Sequence, residues 1–184
     1  VPGKSSQNSK KAFADYWTPA TPTDIPRLMF AMRDSDIEEA AFVRSRVPSP
    51  SLPSQLLDVV ERHRAWGLWE GGRLVGLGGS MPFPQAKSGS IWFLGTVLAD
   101  DRPLFVTKAC VELIRFHHQE FAYLGNWVPA QMTGRIRWLE MLGFDMDWQS
   151  EHVVQHGMLP FWRHSSRPEH RPAARKEPPA FRLV

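Results

Sequence analysis

The run Ser90-Ile91-Trp92-Phe93-Leu94-Gly95-Thr96-Val97-Leu98 is apolar almost without a break. Such a run reads as a central strand buried on both faces. A strand of that kind needs helices above and below it, which places the chain in the α/β class. The sequence on either side supplies them. Met32 to Val43 carries Asp34, Ser35 and Asp36 in a capping position and reads as a helix start. Leu56 to His63 has helical spacing, with Leu56, Val59, Val60 and His63 on one side. Leu104 to Phe121 is a longer helix with a broad apolar stripe through Phe105, Ala109, Leu113 and Phe116.

Shorter signals complete the order. Gly71-Gly72 sits between two apolar runs and predicts a tight hairpin turn. Val97 and Leu98 extend the central strand, and Asp100 to Pro103 reads as a polar turn after it. Leu124 to Val128 reads as a strand, and Gly134 to Leu142 as a helix stopped by Gly143. Phe144 to Trp148 and Val153 to Trp162 read as closing strands. Gly76, Gly78 and Gly79 precede Pro82 and Pro84, which argue against a phosphate-binding helix there, and they allow close strand packing or a bulge.

Hydrophobic residues make up 42% and charged residues 22% of the 184, enough for one real core. That excludes a wholly disordered or collagenous chain. Cys110 is the sole cysteine and has no internal bridging partner. No apolar run approaches the roughly 18 residues of a spanning helix, so no membrane partner is expected. The first residues contain no signal-like stretch and no Met, which points to earlier residues missing or removed.

The formal charge of +3 is unevenly spread: residues 1–11 carry +3, residues 163–184 carry +4 and the body between them −4. The basic ends are therefore tails on an acidic body, and nucleic acid is a possible partner only through them. Residues 1–17 read as a basic arm, 18–164 as the folded domain and 165–184 as a Pro/Arg-rich extended tail. The tail cannot bury enough apolar surface to fold alone. Either a partner orders it or it folds back on its own domain. For a partner surface the candidates are Arg167, Arg171, Arg175, Phe181, Leu183 and Val184, with Trp162 beside them. Of the eight tryptophans, Trp92, Trp127 and Trp138 read as core. Trp148, Phe161 and Trp162 serve either a partner surface or the cover of a sheet edge.

The order of elements and the segment Trp138-Leu139-Glu140-Met141-Leu142-Gly143-Phe144 resemble the GNAT-type N-acetyltransferase fold over most of 18–162. More narrowly, the chain resembles the GNAT-like proteins of short-tailed phages, which include an internal virion protein. That match rests on Met32-Arg33 with Asp36 and Glu39, on Trp92 to Thr96, on Leu124 to Val128, and on Ile136 to Leu139 before Leu142-Gly143-Phe144. The resemblance implies a mixed sheet splayed between two middle strands, flanked by helices, with an acetyl-CoA cleft at the splay.

Against the family's pattern the cofactor loop is poor. Arg102 falls at the Arg position of the diphosphate loop, but the glycine positions fall on Pro103, Phe105 and Thr107. Proline has no amide to donate, and phenylalanine stands where glycine lets backbone approach a phosphate. Met132 stands at the family's asparagine and Leu139 at its tyrosine. Residues 91–98 contain no acid, so Glu70 on the hairpin is the nearest candidate base. His117 and His118 lack metal-pair spacing and read as surface or interface residues; no metal site is expected.

The resulting expectation is a phage virion structural or assembly protein on a degenerate acetyltransferase fold. It would have no cofactor and no catalytic residue, and its partners would be other virion proteins in a symmetric, multi-copy assembly. Its location would be the virion, and the host cytoplasm during assembly. The alternative is an active acetyl-CoA-dependent N-acetyltransferase whose diverged loop uses Arg102 and the amides of Leu104 to Val106, with Leu104 and Val106 beside the phosphates.

Overall fold

The computed structural model describes residues 12–46, 49–84 and 87–165. Seven strands form one sheet: β1 (Trp17–Pro19), β2 (Ala65–Glu70), β3 (Arg73–Pro82), β4 (Ser88–Gly95), β5 (Tyr123–Pro129), β6 (Asp145–Met146) and β7 (Met158–His164). Their order is β1-β2-β3-β4-β5-β7-β6. Every pairing is antiparallel except β4–β5, which is parallel and joins only Ser88–Ser90 to Tyr123–Gly125. The helices are α1 (Asp24–Ala31), α2 (Asp34–Arg46), α3 (Leu52–Glu61), α4 (Val97–Asp101), α5 (Pro103–His117), α6 (Thr133–Met141) and α7 (Glu151–His156). The expected α/β sheet, splayed between two middle strands, is present.

The β2–β3 turn is Gly71-Gly72 with φ of 56° and 75°, angles that glycine adopts without steric cost. β3 carries a bulge at Val75, because Leu68 pairs with Gly76 and Trp69 with Leu74. The bulge lets Leu74 and Leu77 join Ile25, Leu28, Leu56 and Val60 on one face, while Val75 joins the other. There α5 lays Val106, Ala109, Leu113 and Ile114 over the sheet together with Ile136 and Leu139 of α6. Phe13 belongs to that second core, stacked on Phe116 at 4.1 Å. The folded body therefore reaches back into the segment read as an arm.

Two stretches fold differently from the expectation. Val97 and Leu98 do not extend the central strand, and 97–101 is a helix rather than a turn. Thr96 ends the strand by donating its N–H to Val75 O at 2.9 Å, and Ala99 N–H then closes onto Thr96 O at 2.9 Å. The closing segment splits into α7 and β7. Ser150 Oγ accepts from His152 N–H at 3.4 Å, and Gly157 in the left-handed region ends the helix.

His117 and His118 are buried, not at the surface. Ser80 Oγ and His117 Nδ1 are 2.8 Å apart between β3 and α5. Burial, then the charge of Arg64 and contact with His118, push His117 down from 6.5 to about 3. The unfolded chain thus takes up a proton that the folded one refuses. Stability is expected to fall as pH drops from 6.5 toward 3, by up to about 1.4 kcal/mol per pH unit. Urea unfolding at a series of pH values checks this, and His117→Gln is expected to flatten that slope.

Candidate active site

The splay begins where the β4–β5 ladder stops. Because Thr96 bonds to Val75, and Gly76 lies opposite Gly95, strand alternation turns the peptides of Ile91, Phe93 and Gly95 away from β3. Ser165 N–H donates to Ala122 O at 2.8 Å, and Ala130 N–H to Gly157 O at 2.9 Å. By the same alternation Gly125 and Trp127 turn away from β7. The two edges face each other, yet pairing ends at Ser90 and Gly125.

Asn126 makes the last rung. Its Nδ2 donates to Ile91 O at 2.9 Å and its Oδ1 accepts from Trp127 N–H at 3.0 Å. At the other end of the gap α2 closes on the strand. Arg33 N–H donates to Gly95 O at 3.1 Å, and Gly95 N–H donates to Asp36 Oδ2 at 2.6 Å. Between these two ends the Phe93 peptide faces the gap.

A cluster of five charged side chains stands at that gap. Asp36 is fully buried and accepts from Arg33 Nε at 2.8 Å and from Arg135 Nη2. Arg135 Nη2 also lies 3.4 Å from Glu39 Oε2, and Arg33 Nη1 donates to Asp100 Oδ1 at 3.1 Å. Burial opposes the charge on Arg33, but Asp36 and Asp100 outweigh it and hold the guanidinium charged. For Glu39 burial dominates. It lifts the carboxyl above its ordinary value, and the Arg135 charge only partly offsets that. Arg33 Nη2 and Arg135 Nε and Nη1 keep donors with no partner among the described residues.

Three spaces adjoin at the splay. A cleft of about 980 Å³ lies between the starts of α5 and α6; Arg33 and Arg135 line it, and so do Glu38 and Asp100, the latter held on Arg33 Nη1. Neither helix start has a side-chain cap. Pro103 has no N–H and Thr133 N–H is held by Gln131 O at 2.9 Å, so the uncapped first-turn amides are those of Leu104 and Phe105 in α5 and Gly134 and Arg135 in α6, at the positive ends of the two helix dipoles. An apolar wedge of about 110 Å³ separates β4 from β5, and it shares Arg135 and Trp138 with the cleft. A groove of about 410 Å³ opens on the other side and shares Glu39, Trp92, Asn126 and Trp127 with the wedge. Glu39 thus stands where wedge and groove meet.

The residues singled out from sequence are only partly brought together here. Val106 lines the cleft, as do Pro103 and Met132. Leu104 points to solvent. Arg102 is exposed and its Nε donates to Glu70 Oε2 at 2.9 Å. That pair ties two loops together at the surface, so Glu70 is not placed as a base. Leu139 lines the wedge, where it offers no proton. Cys110 also lines it, but burial pushes the thiol up to about 12 despite Arg33 and Arg135. Phe161 is core, Trp162 is half-buried against Trp127 and Met158, and Trp148 is exposed. Arg167, Arg171, Arg175, Phe181, Leu183 and Val184 lie outside the described residues.

Asp36, Glu39 and Arg135 were not read as site residues, and Asp36 and Glu39 entered the resemblance only as part of its pattern. Their signal was faint: Arg33, Asp36 and Glu39 recur at helical spacing on one face, and nothing in sequence joins them to Arg135. With Arg102 held by Glu70 and outside the cleft, Arg102→Ala is expected to leave coenzyme A affinity unchanged. Arg135→Ala is expected to weaken it. Titration calorimetry of the two variants separates these outcomes.

No protein-family model matches the sequence, and no curated protein is detectably similar. Solved structures are similar at the level of fold. N-acetylglutamate synthase from Neisseria gonorrhoeae, complexed with coenzyme A and N-acetyl-glutamate, superposes with a TM-score of 0.60 at 17% identity over 82% of this chain. This chain spans only 35% of that protein's length. The paia N-acetyltransferase from Thermoplasma acidophilum, in complex with coenzyme A, gives 0.61 at 11% identity, over 81% of this chain and 98% of its own. The GNAT domain of S. lividans PAT gives 0.59 at 16% identity, over 81% and 89%.

The fold is that of the GNAT acetyltransferases. The likeness corrects the expectation of a virion structural protein with no catalysis and no cofactor. These GNAT neighbours are N-acetyltransferases, two of them with coenzyme A bound, and nothing ties the chain to virion proteins. The physical reason lies at the loop. Phe105 was read as a block to phosphate, but its ring turns to Tyr16 at a centroid distance of 5.6 Å. Phe105 is not among the residues that line the cleft.

Proposed function

We propose that this protein is an acetyl-CoA-dependent N-acetyltransferase. The observation that carries the reading is the open splay, with a cation-flanked cleft on one side, a groove on the other and Glu39 between them. The residues present fit the cofactor. Two uncapped helix starts, Arg33 Nη2 and the free Arg135 donors suit a diphosphate. The Phe93 peptide offers an N–H and a C=O to an amide-bearing arm lying along β4 as a strand would.

Bound acetyl-CoA supplies a thioester, whose acetyl carbon is open to an amine nitrogen. The chain's own part is positional and protic. The wedge walls, among them Ile91, Leu142 and Phe144, keep water from that carbon. Glu39 takes the proton of an ammonium arriving through the groove, which frees the nitrogen lone pair. Its raised pKa suits that task, because a base poised nearer neutrality also releases its proton again. Arg135 steadies the carboxylate between those events. Protonated Glu39 is then the sole carboxylic acid among the described wedge residues.

The test is acetyl transfer itself. Purified full-length protein is incubated with acetyl-CoA and a panel of primary amines, and free thiol and acetylated amine are measured together. Amine-dependent release of thiol supports the proposal. Thiol release no faster than spontaneous hydrolysis across the panel, with folded protein, overturns it.

A further inference from the structure

The groove on the far side of the splay says which amines can enter. This inference rests on the acetyltransferase reading and adds the acceptor's chemistry to it. The groove walls are apolar and aromatic: Met81, Phe83, Trp92 and Trp127 on the sheet side, Val43 and Leu56 on the helices. Among the described residues its acids are two, Asp36 and Glu39. Asp36 is fully buried and already committed: its Oδ1 accepts from Arg135 and its Oδ2 from Arg33 and Gly95. One carboxyl, Glu39, is left to meet a cation. Arg44 also lines the groove and is exposed there. It has no carboxylate partner among the described residues.

A polyamine or a Lys-rich peptide carries several cations and would bring them past one acid and a facing arginine. Each unmatched charge would lose its hydration against apolar walls. A single ammonium instead meets Glu39 with Trp92 and Trp127 beside it, and aromatic rings attract a cation through their quadrupoles. The volume of about 410 Å³ is near the lower end for small-molecule sites. It suits one ring and a short arm. We propose that the acceptor is a monoamine carried on an apolar, ring-sized group.

The test uses 2-phenylethylamine and spermidine, each titrated into the full chain with and without saturating coenzyme A, which has no acetyl group to transfer. 2-Phenylethylamine is expected to bind at least about tenfold more tightly than spermidine. Val43→Phe, which fills the groove, is expected to weaken 2-phenylethylamine about tenfold and to leave coenzyme A affinity unchanged. Arg44→Glu, at an exposed position, is expected to raise spermidine affinity with no change in melting temperature. Spermidine binding as tightly as 2-phenylethylamine would overturn the inference. So would 2-phenylethylamine binding that ignores Val43→Phe. The two readings fail separately. Coenzyme A binding with no 2-phenylethylamine binding overturns the acceptor class alone. Amine binding with no coenzyme A binding overturns the acetyltransferase reading and leaves the groove's preference standing.

Discussion

Glu39→Gln is expected to slow acetyl transfer by about 10²–10⁴-fold, the usual contribution of a positioned general base. The substitution keeps the size of the side chain and removes only its basicity. Coenzyme A affinity should not move, because Glu39 lines the wedge and the groove but not the cleft. The pH profile gives the finer check. Burial raises the Glu39 carboxyl, and the charge of Arg135 offsets only part of that. The active carboxylate therefore forms at a higher pH than an ordinary glutamate's. The wild-type rate should climb with pH through that raised value, and the climb should vanish in Glu39→Gln. A variant with full rate and an unchanged profile would remove Glu39 from the mechanism.

Asp36→Ala is expected to be the most damaging single change to the fold. It would strip two arginines of a fully buried partner and leave the Gly95 N–H without an acceptor. Breaking a buried pair by removing one member costs about 3–5 kcal/mol. For a chain of this size that lowers the melting temperature by roughly 10 °C. Coenzyme A binding should be lost as well, since Arg33 and Arg135 flank the cleft from positions that Asp36 sets. Thermal melting and calorimetry on one preparation measure both effects. A variant that melts within about 2 °C of wild type would show that Asp36 clamps nothing.

Much of this fold was legible because its signals are local. The apolar run after Ser90 marks the central strand, Gly71-Gly72 marks a hairpin and Gly143 ends α6, each by short-range chemistry. The segment after Gly95 was misread because Val97 and Leu98 look like more strand, whereas Thr96 turns the backbone into α4. The site was harder to see, because its partners are distant in sequence. Asp36 and Arg135 lie 99 residues apart and are brought together only by the tertiary fold. Acids in the first turn of α2 satisfy a helix dipole equally well in water, so nothing local betrays that Asp36 is buried.

Phe105 teaches the converse. Its place in a lost glycine motif suggested a blocked phosphate site. A helical side chain, however, points where its rotation about the axis sends it, and that is toward Tyr16. Counting motif positions gave residue types without directions.

The most direct measurement is calorimetric titration of the full-length protein with coenzyme A, alongside hydrogen exchange at the Phe93 amide. Saturable micromolar binding that slows exchange at Phe93, and survives Arg102→Ala, is the expected result. A folded protein that gives no binding heat and leaves Phe93 exchange untouched would contradict the account.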